Sequence, residues 1–145
     1  DTLVDKYNFP NRKSITKALE IHGNVSNSIV HLKNHFYIYG NELPKVEAFQ
    51  NQQNDFKKKI HPDYNFTIGQ IYWSIQNEMA LTVEDILARR IRLLFLDARA
   101  AIKIAPEVAK ILKKELNKDE VWVKEQIKEF NTLAKNYILT NSDEQ

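Results

Sequence analysis

Three glycines (Gly23, Gly40, Gly69) and four prolines are all the strong backbone punctuation in 145 residues. A β-rich chain needs many tight turns, and a chain this poor in glycine and proline has few places to make them. Between these points apolar residues return at three- and four-residue steps over most of the length, which is the period of a helix. The chain is therefore expected to be all-α, an orthogonal multi-helix bundle of about six to seven helices in a single domain. Its length supports one hydrophobic core and is short for two.

The elements can be placed by their caps. A short helix is expected over residues 1–7, followed by an irregular stretch through Asn24. Ser26 caps a second helix carrying Ile29, Leu32, Lys33 and Phe36, which Gly40 ends. Pro44 suits the first turn of a third, with Val46, Phe49 and Phe56 turned inward. The stretch KKKIHPDYN breaks the pattern, because Pro62 restricts the residue before it. Thr67 caps a fourth helix with Ile68, Ile71, Tyr72, Ile75 and Met79 on one face. Thr82 with Asp85 three places on forms a capping box for a fifth. The run from Leu93 is expected to break or kink near Ile104 and restart at Pro106. Asp119 caps the last helix, whose stripe is Val123, Ile127, Phe130, Ala134 and Tyr137.

Composition excludes several kinds of chemistry. With 43% hydrophobic and 28% charged residues the chain is not of the disordered type. The net charge of +2 gives little general attraction for nucleic acid or an anionic membrane. There is no cysteine, so thiolate chemistry and zinc-thiolate sites are absent. No apolar run is long enough to span a bilayer, and the first residues carry no signal-peptide pattern. Glycine-rich phosphate cradles and a nucleophile elbow are also missing. His31 and His35 stand four apart, a spacing that lets two imidazoles reach one metal, but nothing nearby completes a ligand set. No metal site is expected. The lysines of FKKKIHP read as a solvated helix end, and Phe66, Tyr72 and Trp73 as core rather than base-stacking groups.

The segment Thr82 to Ala101, TVEDILARRIRLLFLDARAA, sets arginines beside an apolar run that contains Asp97. On a continuous helix Leu93, Asp97, Ala100, Ala101, Ile104 and Val108 would share one stripe. A carboxylate there needs a cation or several donors. The reading is a buried Arg–carboxylate network joining two helices, with Glu78, Asp85, Arg89, Arg90, Arg92 and Asp97 as its structural ion-pair candidates. Arg90 is the first partner expected for Asp97, and Arg89 is expected to turn toward Glu78 or a helix-terminal carbonyl.

Over His61 to Ala101, and on through APEVAKILKKEL, the chain resembles the carboxy-terminal domain of FAD-dependent glycerol-3-phosphate dehydrogenases and the related glycerophosphate oxidases. The segment that carries the likeness is Glu78, Ala80, Thr82, Asp85, Leu87, Arg89, Arg90, Arg92, Leu93, Phe95, Leu96 and Asp97. DTLVDKY at the start resembles the helix that ends the family's catalytic portion, and QIKEFNTLAKNYIL near the end resembles its last helix. The resemblance implies that residues 1–24 continue from a missing FAD domain and residues 25–140 form the bundle, the whole of 1–145 being one C-terminal helical domain. The family's full-length enzymes oxidise sn-glycerol 3-phosphate to dihydroxyacetone phosphate, passing electrons to FAD and then to quinone or oxygen. Their flavin and main substrate residues lie in the amino-terminal part, so catalytic, cofactor and metal residues are expected to be none in this chain, with FAD implied only for the parent. The chain opens at Asp1 without methionine and reads as a cut piece, expected to be inactive alone. Its implied partner is the missing FAD-binding part of the same polypeptide, with self-association open and nucleic acid and a transmembrane segment not expected. A cytoplasmic location is expected, the parent standing free or peripheral on a membrane. The side that faced the missing part should keep an apolar patch. The alternative is an independent helical module that binds protein or nucleic acid through Arg89, Arg90, Arg92 and Arg99, which requires those arginines exposed on one face.

Overall fold

The computed structural model describes residues 2–10, 12–19, 21, 23–24 and 35–139. The expected Ser26-capped helix, with Ile29, Leu32 and Lys33, and His31 of the histidine pair lie outside these residues. The chain divides into two compact units, Asp1–Glu42 and Leu43–Gln145. The first contains helix α1 (Thr2–Lys6) and a 3-10 stretch His35–Glu42. Gly40 was expected to end a helix, and at φ 52° it breaks this stretch into two helical pieces. A Cβ there would meet the carbonyl oxygens of Gly23 and Asn24 at 2.5 Å, so only glycine fits. The Asn24 carbonyl also accepts the amide of Asn41 at 2.8 Å.

The second unit is mainly helical. It runs through α2 (Leu43–Gln50), a 3-10 turn Asn54–Lys57, strands β1 (Lys59–His61) and β2 (Tyr64–Thr67), and α3 (Ile68–Asn77). After these come a π-helical turn Asp85–Arg90, α4 (Leu93–Leu96), α5 (Ala98–Leu116) and α6 (Glu120–Lys135). Pro44 sits in the first turn of α2, and Val46 is fully buried. Phe49, Phe56, Tyr72 and Trp73 form an aromatic cluster, with Phe49 stacked on Phe56 at 5.1 Å and edge-on to Trp73 at 5.6 Å. Such pairs contribute about 0.5–1.5 kcal/mol each beyond their buried area.

The stretch that breaks the helical pattern is an antiparallel hairpin, which the sequence reading did not foresee. His61 pairs with Tyr64 across a Pro62-Asp63 turn, and an irregularity separates that pair from Lys59–Thr67. Pro and Asp suit the corner of such a turn. Ile60, His61 and Phe66 are buried, so the hairpin adds to the core while Lys59 faces water.

Thr67 ends the hairpin and starts α3. Its hydroxyl accepts from the Gln70 amide, and the Gln70 side chain accepts from the Thr67 amide at 2.9 Å, a complete capping box. Met79 does not extend the α3 stripe: the helix ends at Asn77, and Met79 is left-handed (φ 54°) and 83% exposed.

Helix α5 is the spine of the unit and packs most extensively on α6. Ala101, Ala105 and Ala109 are fully buried on it, as are Val108 and Leu112. Phe130 and Ala134 fill the contact from α6, while Tyr137 lies past its end. The break expected at Ile104–Pro106 does not occur, since Pro106 lies inside a continuous α5. The chain breaks earlier. The amide of Ile91 bonds to the Ile86 carbonyl, closing the π turn; Arg92 takes φ 59°; Asp97 is extended. One missing hydrogen bond at Pro106 is outweighed by an apolar face packed along the whole helix.

Candidate functional site

The charged groups of the Glu78–Asp97 segment fall into two clusters. In the first, Asp85 accepts the amides of Leu81 and Thr82, each at 3.0 Å, while the Thr82 hydroxyl accepts the Asp85 amide at 3.0 Å. The capping box expected from Thr82 and Asp85 is thus formed. The other Asp85 oxygen accepts from Arg89, whose second arm meets Glu84 at 2.5 Å. Partial burial alone would raise the Asp85 pKa, but the Leu81 amide, the Thr82 hydroxyl and Arg89 outweigh it and hold the carboxyl below its usual range. Arg89 is pushed above its usual range, chiefly by its bond to Asp85.

Arg90 turns the other way, toward the end of α3. Its Nη2 donates to the Glu78 carbonyl oxygen at 2.6 Å, and its Nε lies 3.4 Å from the Glu78 carboxylate. The helix-terminal carbonyl and Glu78 expected for Arg89 therefore belong to Arg90. The π turn accounts for the exchange, because one extra residue per turn rotates each successive side chain away from its α-helical place. Gln126 of α6 accepts the Val83 amide at 3.2 Å and ties this cluster to the last helix.

The second cluster corrects the reading of Asp97. This residue is half-buried, not in the middle of an apolar stripe, and among the described residues it pairs with no arginine. It is the N-cap of α5: Oδ1 accepts the Ala100 amide at 2.9 Å, and Oδ2 accepts the Tyr64 hydroxyl at 3.0 Å. The Ala100 amide is the main cause that holds its carboxyl below the usual range, with Tyr64, the Arg99 amide and nearby His61 adding to it against partial burial. Partial burial and then Asp97 raise the Tyr64 phenol in turn. His61 lies beneath, its ring 5.4 Å from that of Tyr64, and its Nδ1 accepts the Asp63 amide at 3.3 Å. The placement of Tyr64 and His61 beside Asp97 was missed in sequence reading. The His-Pro-Asp-Tyr turn was the available signal, since a two-residue corner brings its flanking side chains together.

Arg92 joins neither cluster. It is exposed, and its guanidinium lies 6.0 Å from the Phe95 ring. A side chain at φ 59° costs about 1–2 kcal/mol relative to ordinary helical backbone. Arg92→Gly is therefore expected to stabilise the chain by about 1 kcal/mol, less the ring contact it removes. Urea melts check this, and a marked loss of stability would mean that Arg92 holds something inside the chain.

These bonds leave little for an arginine-based binding module. Arg89 is committed to Glu84 and Asp85, and Arg90 is half-buried on Glu78. The four arginines do not form one free face, so that alternative is not favoured.

Residues 10–122 match the family described as the C-terminal domain of alpha-glycerophosphate oxidase. A probable mitochondrial glycerol-3-phosphate dehydrogenase of Dictyostelium discoideum is 31% identical over 102 residues, covering 70% of this chain and 15% of that protein. The mitochondrial glycerol-3-phosphate dehydrogenase of Schizosaccharomyces pombe is 41% identical over 58 residues, 40% of this chain and 9% of its own length. That of Saccharomyces cerevisiae is 40% identical over 57 residues, 39% of this chain and 9% of its length. The chain thus matches 15% or less of the length of these relatives. No solved structure matches it. With most of its length matched by the family, and with the segment from Glu78 to Asp97 built into the helix caps and ion pairs just described, the chain belongs to the family of C-terminal domains of alpha-glycerophosphate oxidase.

Proposed function

We propose that this chain serves as the non-catalytic C-terminal helical domain of an FAD-dependent glycerol-3-phosphate dehydrogenase, whose full-length form oxidises sn-glycerol 3-phosphate to dihydroxyacetone phosphate. The observation that carries the reading is the family match over residues 10–122. The geometry supports a structural role, because the polar groups of the segment are spent on capping helices and joining them. Asp85, Arg89, Arg90 and Asp97 all have partners within the chain.

FAD belongs to the parent, and the starts of α3, α5 and α6 do not fit it. A flavin pyrophosphate is held by free amides at a helix start, reached through glycine. The start of α3 is closed by Thr67 and Gln70, that of α5 by Asp97 and that of α6 by Asp119. Gly69, in the first turn of α3, faces Gln50 and Phe56, so the space a Cβ would fill holds protein already. No described helix is long and apolar enough to cross a membrane.

The purified chain is expected to carry no flavin absorbance and to give no turnover with glycerol 3-phosphate, added FAD and an artificial electron acceptor. Bound flavin or measurable oxidation would overturn the reading.

A further inference from the structure

From the outward face of α4 we infer that Phe95 and Leu96, flanked by Tyr137 and Arg92, form the surface on which the rest of the longer polypeptide docks. This rests on the function proposed above. Helix α4 turns Leu93 and Leu94 into the core and leaves Phe95 54% and Leu96 66% exposed. Tyr137, itself 48% exposed, stands edge-on to Phe95 at 5.5 Å and extends the apolar surface to the end of α6. Large apolar side chains scattered singly on a surface need no explanation, but an aromatic pair beside a leucine on a four-residue helix forms a patch.

The backbone reinforces this. The chain leaves the π turn through left-handed Arg92 and enters α5 through extended Asp97, and that excursion is what carries Phe95 and Leu96 outward. The left-handed backbone of Arg92 is strained and persists because the structure around it holds it there.

Charge and length choose the occupant. Arg92 lies over the Phe95 ring and forms no ion pair among the described residues. A second copy meeting this face about a two-fold axis would bring two Arg92 guanidinium groups into one interface, with Asp97 already committed to Ala100 and Tyr64. An apolar surface with carboxylates at its rim is the complement. In the Dictyostelium relative 85% of the polypeptide lies outside the matched stretch, and a tethered surface acts at high effective concentration.

Hydroxyl-radical footprinting of the 145-residue chain and of the native polypeptide that contains it tests the inference. Val121, 62% exposed at the start of α6, serves as the control. Phe95 and Leu96 are expected to be labelled readily in the isolated chain and several-fold less in the longer polypeptide, with Val121 labelled alike in both. Equal labelling of Phe95 and Leu96 in the two would overturn the docking surface while leaving the domain assignment intact. Protection in the isolated chain that rises with its concentration alongside a dimer mass would assign the face to a second copy and also overturn it. Protection only on vesicles of phosphatidylcholine and cardiolipin would assign it to a membrane, with the same result. A native mass equal to that of the 145 residues would instead remove the proposed function, and this inference with it.

Discussion

Gly69→Ala is expected to destabilise the second unit by about 1–3 kcal/mol, the usual range for overpacking a filled interior. Alanine is ordinarily the better helix former by about 0.5–1 kcal/mol, and Gly69 lies in the first turn of α3, so a bare propensity argument gives the opposite sign. The neighbours decide it. An added Cβ would lie 2.8 Å from Gln50 Cγ, 2.9 Å from the Phe56 carbonyl oxygen and 3.0 Å from Phe56 Cβ. Gln50 is itself held, since its side-chain oxygen accepts the Thr67 hydroxyl at 3.1 Å. Even if Gln50 moves, the Phe56 carbonyl is backbone and can yield only by displacing the 3-10 turn. Gly69→Ala/Gln50→Ala should therefore not recover the parent's urea midpoint. A single variant as stable as the parent would mean that α3 is not seated on α2 and the 3-10 turn as described.

Where one short stretch of sequence contained the cause, the structure was legible in advance. Thr67, Thr82 with Asp85, and Asp119 each announce a helix start, because a cap is a contact between residues two or three apart. The inward stripe of α6 was legible through Val123, Phe130 and Ala134, since the helix is long and regular. The hairpin was not, because a three-residue strand carries too little alternation to stand out beside helices. Pro106 misled for a different reason. Its local cost is real, but the apolar face of α5 runs past it on both sides and tertiary packing overrides the local preference. The site failed at the same point. Placing Asp97 on a stripe assumed an unbroken helix from Leu93, and neither the left-handed Arg92 nor the π turn before it has a glycine or proline to mark it.

Asp97→Ala is expected to cost about 1–2 kcal/mol, the usual price of losing a helix N-cap. The variant leaves the Ala100 amide without its acceptor at the start of the longest helix, and frees the Tyr64 hydroxyl that holds the hairpin to it. Asp97→Asn should lose less, because the amide oxygen can still accept one of these bonds. The magnitude separates two structures. A buried ion pair broken on one side would cost about 3–5 kcal/mol, so a loss of that size would place Asp97 against a cation and not at a cap. Acid provides the second test. The folded-state pKa of Asp97 is depressed, chiefly by the Ala100 amide, so its charge contributes stability that is fully present above the ordinary value of 3.8 and is lost as pH falls through the lower folded value. Asp97→Asn has no such proton to take up. In paired urea melts the parent's advantage over Asp97→Asn should hold at neutral pH and narrow as pH falls below 3.8. Asp85, also depressed, is present in both proteins and cancels in the difference. An advantage that stays constant into strong acid would show that the carboxylate charge is not what holds α5 to the hairpin.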